Sequence, residues 1–295
     1  MPYLFGQLQD EKTAALICKR LGDRGITAQY TRANDGSIGL FVDKEEEFVL
    51  AHDIYRVSVG MPPKFEIPKE TIEMAKIPFG LLTKGIILVC VSISILMWIG
   101  DASVIRSTLL ISKYTQGLDE ILNEGQWWRL FTPALVHFGI MHILFNMLWF
   151  KSLGSMIEFT RGKYFFAGLI LVSAVFSNLF QWWFKGPSFG GMSGVVYSLL
   201  GFIWMVKTFN PKEEFSLPKQ DVYMMIGWFV LCLTGLLGPI ANFAHAGGLF
   251  VGMVAGIFCG IQSSEEYRIV DVLKYVSASI VVIIGTIFVE LTFNL

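Results

Sequence analysis

The sequence contains few charged residues for its length. Asp, Glu, Lys and Arg make up only 16% of its 295 residues, whereas 54% are hydrophobic. Soluble proteins carry about 25% charged residues, so this composition places most of the chain in lipid and only a smaller part in water. The formal net charge of −1 provides no basic face, and we expect no nucleic-acid partner.

Histidine and cysteine are also scarce. The four cysteines form no CxxC pair, and we interpret them as buried or lipid-facing thiols. The four histidines include no HExxH sequence, the pattern with which zinc proteases bind their metal. We therefore expect neither a metal site nor a cofactor.

Residues 1–61 predict a small soluble α+β domain. A strand over residues 3–8 leads into an amphipathic helix, two further strands lie near residues 27–31 and 38–42, and a second helix begins near Lys44. This βαββα order is typical of a compact unit of the ferredoxin-like kind.

Beyond residue 80 the apolar runs are long enough to cross a bilayer, which takes about 20 residues per helix. A linker with four prolines, residues 62–80, precedes them. We predict spans at residues 81–100, 138–157, 164–184, 193–208, 221–237, 243–261 and 275–294. The first six form a core over residues 81–262, and residues 263–295 add an apolar segment, either a seventh span or an interfacial helix. Residues 101–136 predict an interfacial structure.

Charge placement orients these predicted spans. With the N-terminus inside, the inner flanks hold three times as many Lys and Arg residues as the outer flanks, as the positive-inside rule requires. A signal peptide would show a basic region followed by an apolar one, and the start of the chain does not show this pattern. We therefore expect a multi-pass membrane protein with a cytoplasmic N-terminus.

Polar residues inside the predicted spans are functional candidates, because they are costly in lipid. His137, His142 and Asn146 form the first group. His142 and Asn146 lie four residues apart and share one helix face. The alternative is that these groups only form hydrogen bonds between helices.

Ser193 follows a glycine-rich loop and begins an apolar helix. Free backbone N–H groups and the helix dipole favour negative charge there, which suits an oxyanion. An ordinary serine N-cap is the alternative. Only about 22 Å of helix separate Ser193 from Lys207, so we expect Ser193 to lie below the outer surface in a water-bearing cavity.

His245 lies beside a run of small residues in the sixth predicted span. The run repeats every four positions: Ala244, Gly248, Gly252, Gly256 and Gly260. It predicts close packing against the Ser193 helix, which would bring His245 within hydrogen-bond reach of Ser193. Packing alone explains the glycines but not the imidazole. Because the predicted spans at 138–157, 193–208 and 243–261 contain no Asp or Glu, we expect a dyad, with Tyr197 stacking on the imidazole.

Three sequences occur in the order HFGIMHILFN, GGMSGVVYSLLG and ANFAHAGGLFVG, after the WWR element. Together they resemble the rhomboid intramembrane serine proteases, in particular the bacterial form with a cytoplasmic N-terminal domain. The resemblance implies a mainly α-helical membrane bundle in the bacterial inner membrane. It also implies a serine endopeptidase that cleaves transmembrane segments of membrane-protein substrates through an acyl-enzyme.

The resemblance implies a role for each motif residue. Ser193 resembles the nucleophile and His245 the general base. His142 and Asn146 resemble side-chain donors to the oxyanion, helped by the Ser193 amide. The fifth span and residues 238–243 resemble the gate and cap that admit a substrate helix.

The resemblance also implies supporting positions. Trp128 and Arg129 resemble the structural element of the first loop. Glu158 and Arg161 resemble a stabilising cluster at the inner end of the second span. The remaining supporting positions are Tyr197, His137 and Gly191.

Two other classes of protein compete with the protease. A catalytically inactive rhomboid-like protein would bind membrane helices without cleaving them, but the joint presence of Ser193, His245, His142 and Asn146 favours an enzyme. A small-solute transporter would show an inverted repeat or a pair of interrupted helices, and the sequence shows neither.

Overall fold

A computed structural model of the protein describes residues 2–61, 68–113, 117–263 and 267–293. The chain divides into two compact units, Met1–Ile67 and Pro68–Leu295. Parts of four predicted segments lie outside the described residues: residue 1 of the N-terminal domain, 62–67 of the linker, 114–116 of the interfacial structure, and 264–266, 294 and 295 of the C-terminal segment. The described part of the predicted linker contains a helix that the sequence analysis missed, α3 (Lys69–Lys76).

The N-terminal unit is a small α+β fold, as predicted. Its elements are β1 (Tyr3–Leu8), α1 (Glu11–Gly22), β2 (Ala28–Arg32), β3 (Ile38–Val42) and α2 (Glu45–Ser58). The strands form an antiparallel sheet in the order β1-β3-β2, which makes β1-α1-β2 a split βαβ unit. Buried side chains of β1, β3 and both helices form its core.

The second unit is a helical bundle. Its further helices are α4 (Leu81–Ile99), α5 (Ala102–Leu109), α6 (Asp119–Leu122), α7 (Ile140–Arg161), α8 (Lys163–Lys185), α9 (Ser193–Phe209), α10 (Lys219–Cys232), α11 (Asn242–Gln262) and α12 (Ile269–Phe293). Among the described residues, length and composition make α4, α7, α8, α11 and α12 suitable for crossing a membrane. The chain is thus a multi-pass membrane protein, and the predicted interfacial segment forms short helices and 3₁₀ turns rather than a span.

Two of the seven predicted spans are shorter than a full crossing. The helix α9 has 17 residues, which agrees with its predicted shortness. The helix α10 has 14 residues and ends at Cys232, so the prediction of a span up to residue 237 is wrong. The chain turns at Gly235, whose φ of 73° lies in the left-handed region that does not continue a helix.

The helices α9 and α11 approach each other so closely that backbone contacts backbone. A Cβ atom on any of three α11 glycines would collide with a carbonyl oxygen of α9. The colliding pairs are Gly248 with Gly194, Gly252 with Ser198, and Gly256 with Phe202. The three glycines of α11 and the three facing residues of α9 each repeat every four residues, so one face of α11 packs against one face of α9 along its length. The predicted packing of the small-residue run against the Ser193 helix is confirmed.

This contact predicts that Gly252→Ala destabilises the protein. The added methyl group must displace the carbonyl of Ser198, which should lower the free energy of unfolding by about 1–3 kcal/mol. Gly168→Ala on α8 is the matched control, because a Cβ there has no neighbour within 4 Å and alanine favours a helix. Thermal unfolding in detergent measures both variants. Equal midpoints for the two variants would contradict the packing.

Candidate active site

Ser193 and His245 form a direct hydrogen bond. Ser193 is the first residue of α9 and is half-buried, while His245 is buried near the start of α11. Ser193 Oγ lies 2.8 Å from His245 Nε2. The helix contact explains this distance, because a Cβ on Gly194 would lie 3.0 Å from the carbonyl oxygen of Ala244. Ser193 and His245 are thus immediate neighbours of the point where the helices touch.

The hydrogen bond to Ser193 relates the tautomer of His245 to the direction of that bond. Its Nε2 can accept from the Ser193 hydroxyl only if Nδ1 carries the ring proton. The Nδ1 atom is buried and has no hydrogen-bond partner among the described residues. The imidazole is otherwise held by rings, with Tyr197 at 4.8 Å and Phe229 at 5.9 Å between centroids.

Tyr197 contacts the imidazole, but not in the parallel arrangement that was predicted. The two rings are inclined by 41°, so the prediction of stacking is corrected to a tilted contact. The reason is that the Tyr197 hydroxyl donates a hydrogen bond to the carbonyl oxygen of Met225 at 2.9 Å. That bond directs the ring toward α10 and joins α9 to α10.

His142 lies against the loop that precedes Ser193. A Cβ on Gly191 would lie 2.6 Å from His142 Nε2, and Gly191 has a φ of 124°, so only glycine suits this position. Asn146 is buried one turn further along α7 and donates from Nδ2 to the His142 carbonyl oxygen at 2.9 Å. One amide hydrogen of Asn146 is therefore used within the helix, and the other is available to a ligand.

His137 fixes the backbone just before Ser193. The backbone N–H of Met192 donates to His137 Nε2 at 3.3 Å. The His137 Nδ1 must then carry the proton, which it donates to the carbonyl oxygen of Leu135 at 3.2 Å. The His137 ring also meets the His142 ring edge-on at 5.0 Å between centroids. His137 thus supports both the loop and His142.

Trp128 and Arg129 organise the first loop rather than the reactive pair. The buried guanidinium of Arg129 donates to the carbonyl oxygens of Ser107 and Leu110, both at 2.6 Å. These carbonyls belong to the C-terminal end of α5, where four groups lack helix partners. The Trp128 indole N–H donates to the Thr108 carbonyl oxygen at 3.2 Å. Both residues thus attach their 3₁₀ turn (Trp127–Leu130) to α5.

Glu120 provides a buried negative charge in the same loop. Burial disfavours its charged form, but hydrogen bonds from the Lys113 backbone N–H and the Ser112 hydroxyl, together with the charge of Arg129, outweigh that effect. The pKa of Glu120 therefore lies below its usual value, and the carboxylate remains ionised beside Arg129.

Glu158 and Arg161 make separate contacts at the C-terminal end of α7. The carboxylate of Glu158 accepts the backbone N–H groups of Leu82 at 2.8 Å and Thr83 at 2.9 Å, so it caps the N-terminus of α4. Arg161 instead pairs with Glu213. The predicted Glu158–Arg161 cluster is corrected to two contacts, because the free N–H groups of α4 bind the Glu158 carboxylate.

Three residues near His245 were not predicted as site residues. The Gln181 side chain of α8 accepts the backbone N–H of Ala244 at 3.1 Å, next to His245. Asn242, the first residue of α11, binds Glu290 of α12. Gln181 and Glu290 are polar residues within apolar helices, and that property is the sequence signal that could have identified them.

Comparison with known proteins identifies relatives over much of this unit. Residues 124–262 match the family model described as the Rhomboid domain. The chain is similar to the Rhomboid protease GlpG of Yersinia pestis (strain Pestoides F), with 37% identity over 177 residues, or 59% of this chain and 61% of the relative. The same-named protein of Pectobacterium atrosepticum is 36% identical over 176 residues, with the same coverage. The chain thus spans about three fifths of the length of the curated relatives it matches.

The contact between Gly191 and His142 predicts that Gly191→Ala slows the reaction of Ser193 with a fluorophosphonate. The new Cβ would lie 2.6 Å from His142 Nε2, and a displacement of about an ångström in such a site costs roughly a hundredfold in rate. Gly162→Ala is the control, since its φ of 82° gives similar backbone strain with no neighbour within 4 Å. Equal labelling rates in both variants would show that the His142 contact is irrelevant.

Proposed function

We propose that this chain, in which residues 124–262 form a domain of the rhomboid family, is an intramembrane serine endopeptidase that cleaves transmembrane segments of membrane proteins. The observation that carries the proposal is the 2.8 Å contact between Ser193 Oγ and His245 Nε2. It supplies an activated nucleophile within a helix bundle made of membrane-crossing helices. The protease names of the relatives in Yersinia pestis and Pectobacterium atrosepticum support it.

The reaction uses the two residues as a dyad. Ser193 Oγ attacks the carbonyl carbon of the scissile peptide while His245 Nε2 takes the hydroxyl proton. The resulting tetrahedral intermediate expels the amine, which leaves with the proton from His245, and an acyl-enzyme remains on Ser193. Water then attacks the ester, gives its proton to His245 and releases the carboxylic acid, and Ser193 regains its proton.

The oxyanion of the intermediate forms beside the N-terminus of α9. The positive end of the helix dipole lies there. His142, whose Nε2 faces Gly191, and the second amide hydrogen of Asn146 serve as side-chain donors, together with the Ser193 amide. His137 and Gly191 hold this arrangement by fixing the loop backbone and leaving room for the His142 ring.

A substrate helix enters between α7 and α10. The helix α10 is short, and Phe145 of α7 contacts Trp228 of α10 with 6.1 Å between ring centroids. The bond from Tyr197 to Met225 holds α10 near the imidazole. Outward movement of α10 and of the residues 238–243 opens the path, so α10 acts as the gate and these residues as the cap.

The membrane setting is inferred from charge, helix length and the bacterial relatives. The excess of Lys and Arg on one side favours an orientation with the N-terminus in the cytoplasm, and the similarity to bacterial rhomboid proteases supports the bacterial inner membrane as the location. The proteolytic core is assigned to residues 81–262, preceded by a ferredoxin-like domain (residues 1–61) and a linker (62–80). Residues 263–295 add a seventh span.

The proposal predicts cleavage of labelled single-span membrane proteins by the wild type and none by Ser193→Ala. Mass spectrometry of the products should locate the cut in or next to the transmembrane segment. A folded wild type that binds such helices without cutting them would instead indicate a helix-binding protein.

His142→Ala and Asn146→Ala should each lower turnover by about 10²–10³ if each is a principal oxyanion donor.

A further inference from the structure

The helix α12 places a buried carboxylate near the start of the His245 helix. Its buried residues are Ser279, Thr286 and Glu290. The two hydroxyls donate to carbonyl oxygens of α12 itself, whereas Glu290 contacts other helices. Glu290 is 2% exposed, lies 3.1 Å from Lys185 Nζ through Oε2, and accepts from Asn242 Nδ2 at 2.6 Å through Oε1.

A carboxylate in this position is costly and therefore informative. Burial of an ionised group in a membrane bundle costs several kcal/mol unless partners compensate for it. Both oxygens of Glu290 have such partners, one of them the positive charge of Lys185 at the end of α8. The helix α12 also lies outside residues 124–262, which match the rhomboid domain, so this carboxylate is an addition to that domain.

The orientation of the Asn242 side chain is fixed by two acceptors. Its Nδ2 donates to Glu290 Oε1 at 2.6 Å and to the Cys232 carbonyl oxygen at 3.1 Å. An ionised carboxylate and a carbonyl can only accept, so the reversed amide would place oxygen against oxygen. Asn242 Oδ1 therefore points away from Glu290 and from Cys232. Asn242 also joins three helices, since Cys232 ends α10 and Glu290 belongs to α12.

Two buried polar atoms remain without partners on the first turn of α11. One is Asn242 Oδ1 and the other is His245 Nδ1, and neither has a hydrogen-bond partner in the described parts of the chain. Residues three apart on a helix are neighbours on its surface. His245 Nδ1 must carry a proton when Nε2 accepts from Ser193. An acceptor and a donor, each costly to leave unpaired, thus share one helix turn.

We propose that Glu290 is a positioning residue for His245 and acts through Asn242. Glu290, held by Lys185, orients the Asn242 amide so that Oδ1 accepts a hydrogen bond from one bridging water molecule, which in turn accepts the Nδ1 proton of His245. This water bridge selects the tautomer with a free Nε2 and stabilises the imidazolium that forms when Ser193 loses its proton. The inference rests on the proposed function, because it concerns the general base of that reaction.

The test measures kcat and KM for cleavage of a single-span substrate by the full-length protein, with Asn242→Ala, Glu290→Leu and the double variant. Each single variant should lower kcat by about tenfold to a hundredfold, as expected for loss of a charge-assisted hydrogen bond, and leave KM unchanged. The double variant should be no slower than Asn242→Ala, because the two residues act in series. Glu290→Gln should retain more activity than Glu290→Leu, since its amide oxygen still accepts from Asn242.

Thr286→Val is the matched control. It removes a buried hydroxyl one turn before Glu290 that, among the described residues, donates to the Val282 carbonyl oxygen of its own helix, and its kcat should equal that of the wild type. Three outcomes would each overturn the inference while leaving the protease intact. Asn242→Ala and Glu290→Leu could both show the wild-type kcat, the losses could add in the double variant, or KM could rise in place of a fall in kcat. A folded wild type that neither cleaves substrate nor reacts with a fluorophosphonate would overturn the proposed function and this inference together.

Discussion

The backbone contact between α9 and α11 is the constraint on which the hydrogen bond between Ser193 and His245 depends. Ser193 and His245 each lie one residue from the point where Gly194 meets Ala244, so the 2.8 Å bond between them is set by helix packing rather than by a loop. A hydrogen bond needs its heavy atoms within roughly 2.5–3.2 Å of each other. A Cβ on Gly248 would lie 1.9 Å from the Gly194 carbonyl oxygen, so a side chain there would force the two helices apart and lengthen the Ser193–His245 contact beyond that range.

The start of α9 is held by side chains of the neighbouring helix and loop. The irregular backbone at Gly191 ends the loop that precedes α9, and in a membrane bundle such backbone must be satisfied by protein groups. His137 and His142 provide those contacts. Fixed dipoles act more strongly inside a protein than in bulk water, because the effective dielectric constant is lower there. A buried imidazole oriented by neutral side chains can therefore serve as a base without a carboxylate hydrogen-bonded to its ring.

Sequence reasoning was most successful where one periodic pattern implied one contact. The four-residue repeat of small residues on α11 was enough to place His245 beside the Ser193 helix. It was least successful for polar contacts between helices distant in sequence. Nothing in the local sequence of Glu158 indicates that it caps α4 rather than pairing with Arg161, and the bond between Asn242 and Glu290 joins residues 48 positions apart. Such partners depend on which helices become neighbours, and hydrophobic periodicity does not specify that for helices that are apolar on most faces.

The most direct test of the Ser193–His245 pair is mass-spectrometric mapping of the covalent adduct formed with a fluorophosphonate in the folded, membrane-reconstituted protein. A hydroxyl activated by this imidazole should carry the adduct at Ser193 alone, and His245→Ala should slow its formation by about 10²–10⁴-fold, the contribution of a general base. An adduct on another serine, or an equal rate in His245→Ala, would contradict the account.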